Sequence, residues 1–212
     1  MCRSKVYSRF SRKELLSGNG AYQVVPTLTG ENLVLRPPRD GDVEARVALG
    51  NDTEILEMYG VSAVDVPAYT RDMAIGSVQS IAENPYGWII EFQGKPAGSI
   101  SLHSVEPHDR RASLAIGLWD KCLLGKGLGT QAILLVLHYA FNSLRLHRVG
   151  VRVLSYNSRA IRAYEKCGFV VEGRERETAF VNGIWHDDIM LGLLESEFAD
   201  RTGSAKGGAP KR

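Results

Sequence analysis

The chain is short of the residues that staple or anchor a protein. It holds three cysteines in 212 residues, Cys2, Cys122 and Cys167. The set is odd and widely spaced, with no C-x-x-C pair and no zinc-ligand pattern. That excludes a disulfide framework and a cysteine-based metal centre, and no metal is expected. It also indicates a reducing compartment, so a cytoplasmic location is expected. No partner histidine stands beside Cys122 in the sequence, which leaves a nucleophilic thiol without support. Charge of one sign is not in excess either. The formal net charge is +2, and lysines and arginines are scattered rather than striped, which argues against nucleic acid. No apolar run is long enough to cross a bilayer, so no membrane partner is expected. Arg3 to Lys13 is basic but has no apolar core segment, so it reads as an extension and not as a secretory signal.

What is present is an ordinary globular balance, 44% hydrophobic and 24% charged. One domain is expected at 31–196, after an N-terminal extension at 1–30 and before a tail at 197–212, Gly/Lys-rich from Ser204. Glu31–Arg36 reads as a strand. Asp40–Leu49, Thr53–Tyr59 and Tyr69–Glu83 read as helices. Tyr86–Phe92 and Ala97–His103 flank the turn signal at Gln93-Gly94, and Ala112–Trp119 reads as another strand. A helix follows, with Ile133, Val136, Leu137, Ala140 and Leu144 at three- and four-residue steps. Leu146–Leu154 alternates as a half-buried strand. Phe169–Phe180 and Ile184–Leu194 form a closing hairpin around Asn182-Gly183. The fold class is α/β, a mixed sheet with flanking helices.

Two segments carry chemistry. Gly125-Lys126-Gly127-Leu128-Gly129-Thr130 stands between a strand and a helix. Its glycines permit positive φ and close backbone approach, at a helix N-terminus whose free N–H groups favour an anion such as a diphosphate. The spacing fits neither a Walker loop nor the G-x-G-x-x-G dinucleotide fingerprint; a plain flexible loop is the competing reading. The second segment is Asn157 to Phe169. Asn157 is suited to cap a short helix. Ala160, Tyr164 and Cys167 share one face of it, and Gly168 is placed to end it in a left-handed conformation. Tyr164 is either a core aromatic or a phenol set beside the ligand.

Together the two segments resemble the acetyl-CoA-binding motifs of the GNAT N-acetyltransferase superfamily. Leu124-Gly125-Lys126-Gly127-Leu128-Gly129 stands for the first motif, with Leu124 where Arg or Gln is usual. Asn157, Ala160, Tyr164, Gly168 and Phe169 match the second. The resemblance spans about Asn32 to Glu195. It leans to the branch of ribosomal-protein N-terminal and polyamine acetyltransferases, through Leu33-Val34-Leu35-Arg36, Leu144 to Arg148 and Gly183 to Asp188. It implies a mostly antiparallel GNAT-like sheet and acetyl-CoA as co-substrate. It implies cofactor contacts from Ile116, Gly117, Leu118, Leu124, Gly125, Lys126, Gly127, Leu128, Gly129, Thr130, Asn157 and Tyr164.

The reaction it implies is direct transfer of acetyl to a primary amine in a ternary complex, the amine being a polyamine, a protein N-terminus or a small molecule. Tyr164 would protonate the leaving thiolate, and a backbone N–H near Leu118 would polarise the thioester. Glu91, Asp120 and His186, or a water chain ending at one of them, are candidates for the base, with Asp187 and Asp188 read equally as surface turn acids. Asp42, Asp52, Glu54 and Glu57 would receive a cationic acceptor or form a solvated face. A homodimer is left open. The competing function is an acyl-CoA-binding or sensor domain without turnover, which would have no need of a phenol at the sulfur.

Overall fold

The structure is a computed structural model. It describes residues 25–62 and 66–203, with side chains up to residue 199. Cys2, the basic stretch Arg3 to Lys13 and the Gly/Lys-rich end from Ser204 lie outside the described residues.

Eight strands form one sheet. They are β1 (Leu28–Thr29), β2 (Leu33–Arg36), β3 (Gly87–Phe92), β4 (Lys95–Glu106), β5 (Arg111–Leu118), β6 (Arg148–Leu154), β7 (Val170–Val181) and β8 (Ile184–Leu194). Their order across the sheet is β1-β2-β3-β4-β5-β6-β8-β7. Every pairing is antiparallel except β5 with β6, as expected where a helix crosses over between two consecutive strands. That crossover is α4 (Leu128–His138), followed by one turn of π-helix at Tyr139–Ser143.

The alternation of side chains along the strands assigns the two faces. Leu33 and Leu35, Trp88 and Ile90, Ile100 and Leu102, and Ala112 and Leu114 join Ala132, Ile133, Val136 and Leu137 of α4 in one core. That core reaches beyond the expected domain limits: Val25 and Phe198 belong to it. Phe198 sits in α6 (Glu195–Gly203), against Phe141 and His138. On the other face lie α1 (Gly41–Leu49), α2 (Thr53–Met58) and α3 (Arg71–Glu83). Buried Asp42 of α1 ties that layer to β2, gripping Arg36 through two hydrogen bonds of 2.8 and 2.7 Å.

The feature that shapes the site is a split in the sheet. β5 and β6 pair only at Arg111–Ser113 with Arg148–Gly150. Beyond that point β5 stays with β4 as far as Leu118, while β6 stays with β8 as far as Leu154. The two strands therefore diverge, each satisfied on its outer edge, with a gap between their C-terminal halves.

Candidate functional site

The gap offers backbone donors. The N–H of Trp119 donates to the Ala97 carbonyl at 2.9 Å. In an antiparallel pair the bonding residues alternate, so Gly117 also faces β4. Ile116 and Leu118 then turn their N–H groups away from β4, into the gap, where β6 no longer pairs. Gly98 sets this edge close to its neighbour, since a Cβ there would fall 2.2 Å from the Gly117 carbonyl oxygen.

The glycine turn forms one wall. Asp120 caps a short 3-10 turn at Lys121–Leu123, accepting from the Cys122 N–H at 2.8 Å. Leu124 ends it, and Gly127 then serves as the residue before α4 with φ of 79° and no side-chain cap. Gly125 is also left-handed, with φ of 75°. Both conformations are costly for any residue with a Cβ. The N–H groups opening α4 are thus uncovered by a side chain, as an anion site requires. Nothing lies within 4 Å of where a Cβ would stand on Gly125, Gly127 or Gly129.

Helix α5 (Ser158–Cys167) forms the facing wall. Asn157 caps it, its side-chain oxygen accepting from the Ala160 N–H at 3.1 Å, while its amide nitrogen donates to the Met58 carbonyl at 3.4 Å. Asn157 therefore fastens α5 to α2, a duty that the capping pattern did not disclose. Tyr156 adds a second tie, its hydroxyl donating to the Glu57 carbonyl at 2.5 Å. Gly168 closes α5 in the left-handed region with φ of 105°. Tyr164 is 6% exposed, packed edge-on against Phe169 with ring centroids 5.4 Å apart. Its hydroxyl makes no hydrogen bond to another described residue. Burial, first of all, pushes its pKa above the ordinary phenol value, with Tyr59 and Cys167 adding to the shift. Tyr164 therefore stays protonated at neutral pH and keeps a proton to give.

These walls enclose a cavity of about 430 Å³. Ile116, Gly117 and Leu118 line it, with Leu124, Gly125, Gly127, Leu128, Gly129 and Thr130 from the turn and helix, and Asn157 and Tyr164 from the far wall. Of the residues expected from the sequence to contact the cofactor, Lys126 alone does not line it; its side chain is exposed. A polar chamber of about 1050 Å³ lies along the split and shares Tyr59, Ile116, Asn157 and Tyr164 with the cavity. A third chamber, about 280 Å³, lies on the α1–α3 face and shares Ile55, Tyr59, Ile116 and Gly117. Tyr59 lines all three. It presses so closely on β5 that a Cβ at Gly117 would lie 2.0 Å from its hydroxyl oxygen. Tyr59 as a whole is 52% exposed, and it is the burial of its hydroxyl end against β5 that raises its phenol pKa above the ordinary value. No motif in the sequence pointed to Tyr59, because its place follows from how α2 docks and not from its neighbours in the chain.

The acids behave differently from the sequence expectation. Glu91 is held by Arg36 at 2.5 Å and by Arg39 at 3.6 Å, Asp120 is spent on its cap, and His186 stacks edge-on against Tyr156 at 4.6 Å. None of the three lines a chamber. Asp187 and Asp188 are strand residues of β8 rather than turn acids. Asp188 is 5% exposed, accepts from the Thr178 hydroxyl at 2.8 Å and lines the large chamber. The early-helix acids are engaged as well: Asp42 by Arg36 at 2.7 Å, Asp52 by Lys121 at 3.1 Å, Glu54 by Arg159 at 3.6 Å, and Glu57 by the Asn182 amide at 2.8 Å. Cys122 is exposed and Cys167 buried, its thiol against the Thr130 carbonyl at 3.7 Å. Among the described residues there is no His, Cys, Asp and Glu cluster fit for a metal, and no helix long and apolar enough to cross a membrane.

Comparison with known proteins bears on the same stretch of chain. The family model described as an acetyltransferase (GNAT) domain matches residues 32–170. The "Probable N-acetyltransferase YjcK" of Bacillus subtilis is 28% identical over 178 residues, covering 80% of this chain and 98% of that protein. The spermidine N(1)-acetyltransferase of Escherichia coli K12 is 25% identical over 170 residues, covering 80% and 90%. Among solved structures, a spermidine N-acetyltransferase from Vibrio cholerae in complex with CoA and spermine superposes with a TM-score of 0.66. It is 26% identical and covers 80% of this chain and 99% of that one.

Proposed function

The chain belongs to the GNAT acetyltransferase family, and from that premise we propose that it transfers acetyl from acetyl-CoA directly to a primary amine, in a ternary complex, in the cytoplasm. The observation that carries this reading is the split between β5 and β6, which places free N–H groups of Ile116 and Leu118 between the glycine turn and the Tyr164 phenol.

The residues fit the co-substrate. The uncovered N–H groups from Gly125 to Thr130 would hold its diphosphate, with open space over all three glycines. Leu124 supplies no charge there, so the hold rests on backbone. The pantetheine arm would follow the edge of β5, and the N–H of Leu118 would polarise the thioester carbonyl. The amine nitrogen attacks that carbonyl carbon, the new C–N bond forms, and the C–S bond breaks. The departing sulfur takes its proton from Tyr164, and the proton that the nitrogen sheds on becoming an amide returns to the phenolate, directly or through water. A phenol raised by burial is a weaker acid than the ordinary one. A thiolate leaving into the same dry site is raised as well, since desolvation disfavours both anions, so the two remain matched closely enough for transfer. The incoming ammonium loses its proton to water in the large chamber, where Asp188 is the buried carboxylate.

The test measures CoA release with acetyl-CoA and a panel of amines, beside calorimetric binding of acetyl-CoA. Acetyl-CoA should bind and at least one amine should turn over. Binding without turnover of any amine would favour a sensor domain. Stabilisation by ATP but not by acetyl-CoA would refute both.

A further inference from the structure

The small chamber on the α1–α3 face carries an arginine that the reaction above does not use. Arg46 of α1 lines it together with Ser77, Ser99, Ser101 and Trp119. Its guanidinium lies 3.8 Å from the centre of the Tyr69 ring and 5.5 Å from that of Trp119. One nitrogen donates to the Gly50 carbonyl. Among the described residues no carboxylate lies within ion-pair distance of it. The single carboxylate lining the chamber, Asp52, is taken by Lys121 and by the Ile55 N–H. The remaining titratable groups facing Arg46 are the phenols of Tyr59 and Tyr69. Arg46 thus differs from Asp42, Asp52, Glu54 and Glu57, which have found partners.

We propose that this chamber receives a carboxylate of the acceptor, so that the substrate is an amine bearing a carboxylate and not a polyamine. The inference rests on the acetyl-transfer reading and narrows it. A guanidinium stacked on aromatic rings keeps its edge free, and that edge matches a carboxylate in two parallel hydrogen bonds. Serine hydroxyls can donate to the same group. The chamber opens onto the cofactor cavity at Tyr59, Ile116 and Gly117, so an acceptor anchored at Arg46 can present its nitrogen to the thioester. A polyamine would meet a cation there, and its natural counter-charges are already bound within the fold.

The experiment compares amino acids with their carboxamides, and both with spermidine, as acceptors from acetyl-CoA. With the unaltered protein, kcat/KM for the best acid should exceed that of its carboxamide by at least about tenfold, because a site built for a polar group rejects the analogue lacking it. Spermidine should be slower than that acid. Arg46→Gln should erase the preference through a raised KM for the acid, and Arg46→Lys, which keeps charge but loses the fork, should retain part of it. Equal rates on acid and carboxamide, a spermidine rate above every acid, or a preference that survives Arg46→Gln would overturn the inference and leave acetyl transfer standing. Should Arg46→Gln not fold, the acid-to-carboxamide ratio of the unaltered protein decides alone. A protein that fails to bind acetyl-CoA in calorimetry defeats the underlying reading instead.

Discussion

The α4–α5 wall and the α1–α2 wall face each other across the same split sheet, and they are held by different forces. On the first wall the candidate groups are set by local geometry: glycines at positive φ, helix-opening N–H groups, a cap that the Asn157 side chain makes to its own helix, and the Tyr164 phenol on that helix. On the second they are side chains that meet from distant parts of the chain. Lys121 reaches Asp52, Asn182 reaches Glu57 across 125 positions, and Arg36 of β2, which grips nearby Asp42, also takes Glu91 of β3. Backbone geometry is dictated over a few consecutive residues, whereas paired charges depend on how whole elements dock. The two buried or half-buried arginines of that region repeat the lesson. Arg36, hydrogen-bonded to Asp42 above all, has its pKa raised; Arg46, desolvated without a carboxylate, has its pKa lowered. The first is a fastening, and the second is available.

Substitutions on each wall should separate these roles. Tyr164→Phe keeps the ring and its packing on Phe169, so the fold should hold. Turnover should fall by the ~10²–10⁴ of a lost acid–base group, with acetyl-CoA affinity nearly unchanged. Full turnover with a lowered melting temperature would make Tyr164 a core aromatic and strip the first wall of its chemistry. Asp42→Ala should cost roughly 2–3 kcal/mol, less than the ~3–5 of a fully stranded buried charge, because Arg36 loses its two-pronged partner but keeps Glu91; Arg36 is 3% exposed and Asp42 2%. Denaturant unfolding checks it. A loss below about 1 kcal/mol would mean that the α1–α2 wall does not depend on that pair.

Gly127→Val probes the backbone side. A branched residue forced to φ of 79° costs about 1–2 kcal/mol and projects into the anion site. Acetyl-CoA affinity should drop at least about tenfold, or about 1.4 kcal/mol, in a protein that still melts cooperatively. Unchanged affinity would place the diphosphate elsewhere. Gly117→Ala should act on the opposite wall, since its Cβ displaces the Tyr59 hydroxyl. We expect KM for the amine to rise by roughly fivefold, about 1 kcal/mol, with a smaller change for acetyl-CoA. Equal effects on both ligands would erase the distinction between walls.

The smallest effect is one of pH. Lys121, chiefly, and the N–H groups opening α2 hold Asp52 below the usual carboxylate value. A carboxylate depressed in the folded state adds stability above its unfolded pKa, near ~3.9, and that contribution is lost as pH falls through the folded value. Melts of the unaltered protein and Asp52→Asn should therefore differ at neutral pH and converge below about pH 4. A difference that persists in acid would deny the ion pair a role.

Local patterns carried far. They placed helices α1 to α5 and seven of the eight strands near their observed positions, and Asn182-Gly183 marked the hairpin that the structure forms there. The strand β1 went unread because two residues have no period, and α6 because its apolar contact is the single buried Phe198. Among the site residues, those from Ile116 to Thr130 and from Asn157 to Tyr164 were legible as motifs. Tyr59 and Arg46 were not, and the three residues put forward as bases, Glu91, Asp120 and His186, line none of the chambers. A carboxylate in a sequence carries no sign of its future partner.

The chain by itself thus determined the family, the glycine turn, the capped helix and the phenol upon it, since each depends on φ, on helix ends, or on spacing along one element. Tertiary structure alone decided that β5 and β6 part after Ser113 and Gly150, that Tyr59 stands where three chambers meet, and which acids of the early helices are paired. Those outcomes depend on contacts between residues far apart in the chain, where pairing is settled by the packing of whole layers and the cost of burying a charge alone.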